Sequence, residues 1–297
     1  MFANALEPDD GRVGSHSAPA SHRSEAESSI GAVARRVLLA TDVAVKIGAV
    51  PSPETLEDDR ATLDPVPLGP GRPTDLRIVP GSRVKVPPAN GIRDPLQRVR
   101  LLHALANHEL QAAELFAWAL LSFPDAPADY RRGLLGILDD ECRHTRMYIA
   151  RLEALGGRFG EYPVSGYFWN KAPELTTPLR FICAMSLTFE NANLDHTVDY
   201  AEAARSVDDE KTAALIDRVH DDEVEHVRFG WTWLSRLKRP EETMWQAYCA
   251  NLAFPLQPNR AIGRRFHVEG RKAVGMDRAF IAELERFTTH GRFPRWD

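Results

Sequence analysis

The 297-residue chain is 43% hydrophobic and 27% charged with a formal net charge of −5, an ordinary globular mixture long enough for one large domain or two small ones. That balance gives no general push toward nucleic acid or anionic lipid, though it leaves room for a local basic patch. No 18-residue apolar run is present. Cys142, Cys183 and Cys249 form no CxxC pair and no even-numbered framework, so neither a zinc knuckle nor a disulfide scaffold is indicated.

Residues 1–28 are polar, rich in Ser, Ala and His, and without periodicity, which predicts a disordered tail. They also lack the basic-then-apolar layout of a signal peptide, so the expected compartment is the reducing cytoplasm, with no membrane attachment. Residues 29–93 read as a short helix over 30–47 followed by a proline-punctuated extended arm ("DPVPLGPGRP", "VPGSRVKVPP") wrapped over something larger.

Four long helices are predicted over 94–238. The first opens at "DPLQ", where Asp94 caps, Pro95 takes the first helical position and Gln97 completes a capping box, and it ends at "FPDAP" after Ser122. The second spans 128–155 and stops at Gly156-Gly157. After an aromatic connection of about twenty residues, the third opens at Thr177-Pro178 and continues to about Arg205; the fourth runs from about Asp208 to Lys238. Two short turns and one long crossover between the second and third helices describe an all-α four-helix bundle. Residues 239–297 read as an extension packing on the bundle, with one further helix over 277–287.

Each long helix sets a glutamate on its apolar stripe. Glu109 lies in line with Leu102, Leu105, Ala106, Ala113 and Phe116, and Glu141 with Leu134, Ile137, Leu138 and His144. Glu190 sits among Cys183, Ser186, Leu187 and Leu194, and Glu223 and His226 among Ile216, Val219 and Val227. These are i, i+3, i+4, i+7 relations, so the acids point into the core, where uncompensated carboxylates cost several kcal/mol each. They need cations. Glu109 and Glu141 are 32 residues apart with their midpoint at 125, inside "FPDAP"; Glu190 and Glu223 are 33 apart with theirs inside "ARSVDDE". Residues equidistant from a hairpin turn face each other, so Glu109, Glu141, His144, Glu190, Glu223 and His226 are expected at one level.

Asp-Glu-x-x-His occurs twice, at 140–144 and 222–226. A metal-bound imidazole needs its other N–H held, so Asp140 is expected behind His226 and Asp222 behind His144, with Arg143 paired to one of the acids. Helix four carries Glu225 where helix two has Arg143, which leaves the two halves unequal. Glu114 competes with Glu109 but lies on the more polar stripe of Asn107, Gln111 and Trp118. His108, His196, Asp195 and Asp199 read as surface or capping groups, His220 as a solvated or core histidine, Cys142 and Cys183 as buried structural thiols, and Tyr148 as a core aromatic.

A Glu from each of two helices with Glu-x-x-His from each of two others, in "NHELQAAEL", "DDECRHT", "TFENANLD" and "DDEVEHVRFG", resembles the ferritin-like di-iron carboxylate superfamily, with the bundle covering 94–238. Together with "PGRP" and "GRKAVG", the phrases are further similar to a bacterial ferritin-like family of unknown function, and more distantly to tRNA-modifying di-iron hydroxylases. The resemblance implies two Fe ions (or Mn), Glu141 and Glu223 bridging, Glu109 and Glu190 terminal, and one imidazole per ion. It implies an oxidoreductase that uses O2 to oxidise or hydroxylate a small-molecule substrate. No flavin or nicotinamide motif is present, so a ferredoxin-like electron donor is expected. A tRNA substrate would use basic surface such as the 260–272 cluster ("RAIGRRFHVEGRK"); the further alternatives are an iron- or peroxide-handling protein without an organic substrate and a metal-stabilised structural or binding module. The "YFW" stretch at 167–169 is a candidate cover for a substrate pocket.

Overall fold

The computed structural model describes residues 27–290, so the expected tail lies outside the described residues except for Glu27 and Ser28. The protein is all-α, with one two-residue pair of strands. The N-terminal helix is two helices: α1 (Ile30–Leu39) and α2 (Val43–Lys46), separated because Asp42 caps a fresh start by accepting from Val45 N at 3.0 Å. The arm, 47–94, runs over the helices in short 3-10 turns, and its strand β1 (Ile78–Val79) pairs in parallel with β2 (Val164–Ser165) of the long crossover.

Two helical hairpins follow. In the first, α3 (Pro95–Ser122) packs along α4 (Ala128–Ala154). Asp94 accepts from Gln97 N at 2.9 Å and Pro95 fills the first turn, as the opening sequence dictates. The orphan carbonyls at the other end are satisfied by Thr62 (to Leu121 O, 2.8 Å) and by Arg131 (to Leu120 O, 2.6 Å, and Phe123 O, 3.1 Å). Helix α4 stops where Gly156 takes φ +83°, a left-handed backbone that a side chain resists.

The second hairpin departs from its expected form. The third helix is three segments: α5 (Pro178–Ala184), a π-helical turn (Met185–Glu190) and α6 (Asn191–Arg205). Thr188 Oγ1 donates to the Cys183 carbonyl at 2.7 Å, taking up an acceptor at the π turn. Helix α7 (Glu210–Leu237) starts at Asp209, whose side chain accepts from Thr212 N at 3.1 Å. The hairpins meet along α4 and α7, while α1 covers the outside of α3, so α3 is buried nearly all round and α7 keeps one wet face.

The C-terminal extension holds three helices, not the single one expected: α8 (Met244–Ala250), α9 (Val268–Val274) and α10 (Arg278–His290). Its anchor corrects one reading. Asp195 is a fully buried residue, not a surface group. It takes two hydrogen bonds from buried Arg271 (2.7 and 2.9 Å) and one each from Gly263 N and His267 N, both at 2.8 Å. Asp199 pairs with Arg265 in the same seam. No described helix is long and apolar enough to cross a membrane.

Candidate metal centre

The two hairpins bring all six predicted side chains together. Ligand atoms of Glu109, Glu141 and His144 lie within 4.8 Å of one another, and so do those of Glu141, Glu190, Glu223 and His226; every one of the six residues is buried. The imidazole rings stand 5.8 Å apart. His144 Nδ1 is 3.5 Å from Glu109 and 3.7 Å from Glu141, while His226 Nδ1 is 3.2 Å from Glu141 and 3.7 Å from Glu223. Glu141 therefore serves both groups. Glu223, expected as a second bridge, groups here with His226; Asn193 Nδ2 donates to its Oε1 at 2.8 Å, and its Oε2 has no hydrogen-bond partner.

Behind each imidazole stands the aspartate of the opposite hairpin. His144 Nε2 is 3.1 Å from Asp222, and His226 Nε2 is 3.2 Å from Asp140. Each contact is made across the α4–α7 interface, as the placement of Asp one residue before Glu predicts. Arg143 pairs with both acids rather than one: with Asp222 at 3.0 Å and with Asp140 more closely. One arginine thus closes both halves, and Glu225, at the equivalent place in α7, pairs outward with Arg228.

The electrostatics favour added positive charge. Burial and the neighbouring Glu141 hold the Glu109 carboxyl well above its ordinary range, and burial with Glu223 and Glu141 does the same to Glu190. Burial also pushes Glu141 up, but the two imidazoles overcome it and hold that carboxyl low. For His144, burial opposes the charged ring, yet Asp222, Glu109 and Glu141 raise its pKa well above the usual value; Asp140, Glu141 and Glu223 do so for His226. Asp222 is shifted down to about 2: burial raises it, but His144 and Arg143 win.

The fit to a metal rests on atoms that nothing in the protein satisfies. His144 Nδ1, His226 Nδ1, Glu141 Oε2, Glu223 Oε2 and both oxygens of Glu190 are buried without an aligned hydrogen-bond partner. Each such group would cost roughly 1–3 kcal/mol, and more when charged. With Nε2–H turned to an aspartate, each ring aims Nδ1 at the carboxylates, and a bound cation would take the place of the proton that the raised pKa keeps there. Oxygen donors with one imidazole per group, and no thiolate among them, suit hard or borderline divalent cations.

The remaining predicted residues fall outside the cluster. Glu114 is fully buried but takes hydrogen bonds from Arg72 (2.7 and 2.9 Å) and Trp169 Nε1 (2.9 Å), and Lys46 Nζ lies 3.3 Å away. His220 Nδ1 meets Thr197 Oγ1 at 2.7 Å. Cys142 and Cys183 are buried; burial pushes the Cys142 thiol up to about 12. Tyr148 is buried near the ligands, its hydroxyl pKa raised first by burial and then by Glu109 and Glu223. His108 and His196, expected at the surface, are half-buried, and burial lowers the pKa of both.

Sequence reasoning missed Asn193 and the π turn. Asn193 stands three residues after Glu190 in "TFENANLD", so its one-turn spacing from a ligand is the signal that was present. Phe168 of the "YFW" stretch stacks on Phe189 (4.6 Å between ring centroids) and lies 5.5 Å from the His108 ring, residues that directly precede Glu190 and Glu109. Tyr167 packs on Phe189 at 5.6 Å.

Among protein families, one described as "Protein of unknown function (DUF455)" matches residues 33–282. No curated protein and no solved structure matches the chain.

Proposed function

The chain belongs to that family, whose description carries no activity, and we propose from its own side chains that it is a ferritin-like di-metal oxidoreductase of the di-iron carboxylate type. The single observation that carries this reading is the set of two imidazole nitrogens and four carboxylate oxygens, buried, convergent and unpartnered. Two hairpins with an intervening crossover, and one acid or acid–imidazole pair from each long helix, support the ferritin-like comparison.

Two ions fit the donors: His144 with Glu109 and Glu141 for one, His226 with Glu190, Glu223 and Glu141 for the other. Iron, or manganese in its place, would supply the electrons and open coordination positions that O2 chemistry on an organic substrate requires. The protein's part is arrangement. Asp222 and Asp140 hold the Nε2 protons so that both Nδ1 atoms face inward, and Arg143 fixes both acids. Asn193 orients Glu223. Phe189, Phe168 and Tyr167 exclude water from the side where α6 begins. An external reductant, of the ferredoxin-like kind, completes the electron count.

The test is metal analysis of the purified protein, followed by anaerobic reduction, O2 exposure and optical spectroscopy. Two irons per chain and O2 uptake coupled to a transient absorbance change are expected. Zinc alone with no response to O2 would replace this reading with a metal-stabilised binding module, and rapid peroxide turnover without an organic substrate would replace it with iron or peroxide handling.

A further inference from the structure

A cavity of ≈230 Å³ opens where the arm, α3 and the crossover meet. Its frame is fixed on three sides. The β1–β2 pair ties the arm to the crossover, and Asn107 on α3 donates to Ser165 O at 3.2 Å while accepting from Arg72 at 2.7 Å. Arg83, Lys85 and Arg100 line this cavity, no acidic side chain does, and none of the three cations has an ion pair among the described residues. The Arg100 guanidinium lies 5.1 Å over the Tyr162 ring, which holds it in place without neutralising it.

Two histidines, His103 and His108, also line the cavity. His103 Nε2 accepts from Gly160 N at 3.0 Å, so its proton sits on Nδ1. Burial lowers the His103 pKa to about 4. The permanent positive charge of the lining is that of Arg83, Lys85 and Arg100. All three cations are exposed at the cavity's mouth, where solvent screens their repulsion and leaves their donors open to an incoming anion. Val84, Val86 and Val164 supply an apolar wall beside them. The volume lies below the ~300–1,000 Å³ usual for drug-sized ligands, so it suits a small molecule.

We propose that this cavity binds the anionic head, carboxylate or phosphate, of a small organic acid that is the protein's substrate. The substrate role rests on the metal-centred reading above: the cavity's lining includes His108, the residue before Glu109 on the same helix. The cavity as an anion site stands on its own residues.

The experiment uses the full chain, melted thermally in chloride at fixed ionic strength and again with sodium phosphate or sodium succinate replacing part of the chloride. At least one of the two anions raises Tm by several degrees over chloride, and which one does so separates a phosphate from a carboxylate ligand. In Lys85→Gln/Arg100→Gln that shift disappears, while Tm in chloride holds. Arg83→Gln, on the exposed arm, weakens the shift several-fold and serves if the double variant does not fold. No shift with either anion, or a full shift in the double variant, overturns the proposal. So does steeply salt-dependent retention of an RNA oligonucleotide that phosphate and succinate do not mimic, which would make these cations a nucleic-acid surface. Metal content is measured on the same samples. Two bound ions with no anion response defeat the cavity and leave the centre standing; an anion response in protein that binds no metal keeps the anion site and removes the redox reading.

Discussion

Helix α3 carries two buried glutamates five residues apart, and their surroundings are opposite. Glu114 is saturated: Arg72 and Lys46 flank it, and Trp169 donates to it. The cluster around Glu109 has no lysine or arginine; its acids face other acids and two imidazole rings whose Nδ1 atoms have no partner. Burial alone does not separate the two, since both sites are buried. The difference lies in whether the protein itself completes the charge and hydrogen-bond count. Where it does, the acid fastens the arm to the bundle. Where it does not, the acids and imidazoles could hold a cation from outside.

That contrast is broken most directly at Glu141, which belongs to both ligand groups. Glu141→Ala should lose both ions, with affinity down more than about 100-fold, whereas Glu109→Ala should keep the ion of the His226 group. Elemental analysis after dialysis reads this, with circular dichroism confirming that the helices persist. Retention of two ions by Glu141→Ala would show that the shared carboxylate does not join the two groups.

The converse is expected at Glu114. Glu114→Ala leaves Lys46 and Arg72 buried without their counter-charge, and breaking such a pair costs about 3–5 kcal/mol. Burial already lowers the Lys46 pKa against the pull of Glu114, so the lysine can shed its proton and relieve part of that cost. Denaturant unfolding should show the loss, while the folded fraction still binds metal. A Glu114→Ala protein of normal stability that binds no metal would invert the assignment of the two glutamates.

A smaller effect is expected one step behind the ligands. Asp222→Asn leaves His144 in place but removes the charge that holds its Nε2 proton, and such a change costs roughly 10–100-fold in metal affinity. Titration of metal-free protein should show one weakened site and one normal site, since Asp140 still serves His226. Equal weakening of both would mean that Arg143, shared by the two acids, couples them.

The two regions were unequally legible in the sequence. The cluster could be read because its six candidate ligands obey helical spacing and because the hairpin midpoints fall on independent turn signals; both are local, repeated patterns. Arg72 and Lys46 reach Glu114 from 42 and 68 residues away along a proline-rich arm without periodicity, and no local rule says where such an arm lands. The same holds for Asp195, whose partner Arg271 is 76 residues downstream. Periodicity tells which face a side chain takes and is silent on what covers that face. The π turn before Glu190 escaped for a different reason: "AMSLTF" has ordinary helix-forming composition, and the extra residue is accommodated through Thr188 and its contact with Tyr248 Oη at 2.8 Å.

The finest test of the contrast is the pH dependence of the metal-free protein. Asp222 in the folded chain has a pKa of about 2, below its ordinary 3.8, because His144 and Arg143 favour its charged form over the cost of burial. A depressed folded pKa means that the unfolded state takes up the proton first as pH falls. The stability Asp222 contributes is therefore complete above about pH 5, declines from there, and is lost as pH falls through about 2. Metal-free wild type and Asp222→Asn, compared by denaturant unfolding at pH 6, 5 and 3, should differ equally at the first two values and less at the third. A difference that stays constant to pH 3 would mean that the aspartate acts through shape rather than charge. The imidazole it faces would then be oriented by packing, and the metal centre would owe its geometry to the same kind of contact that holds the rest of the core.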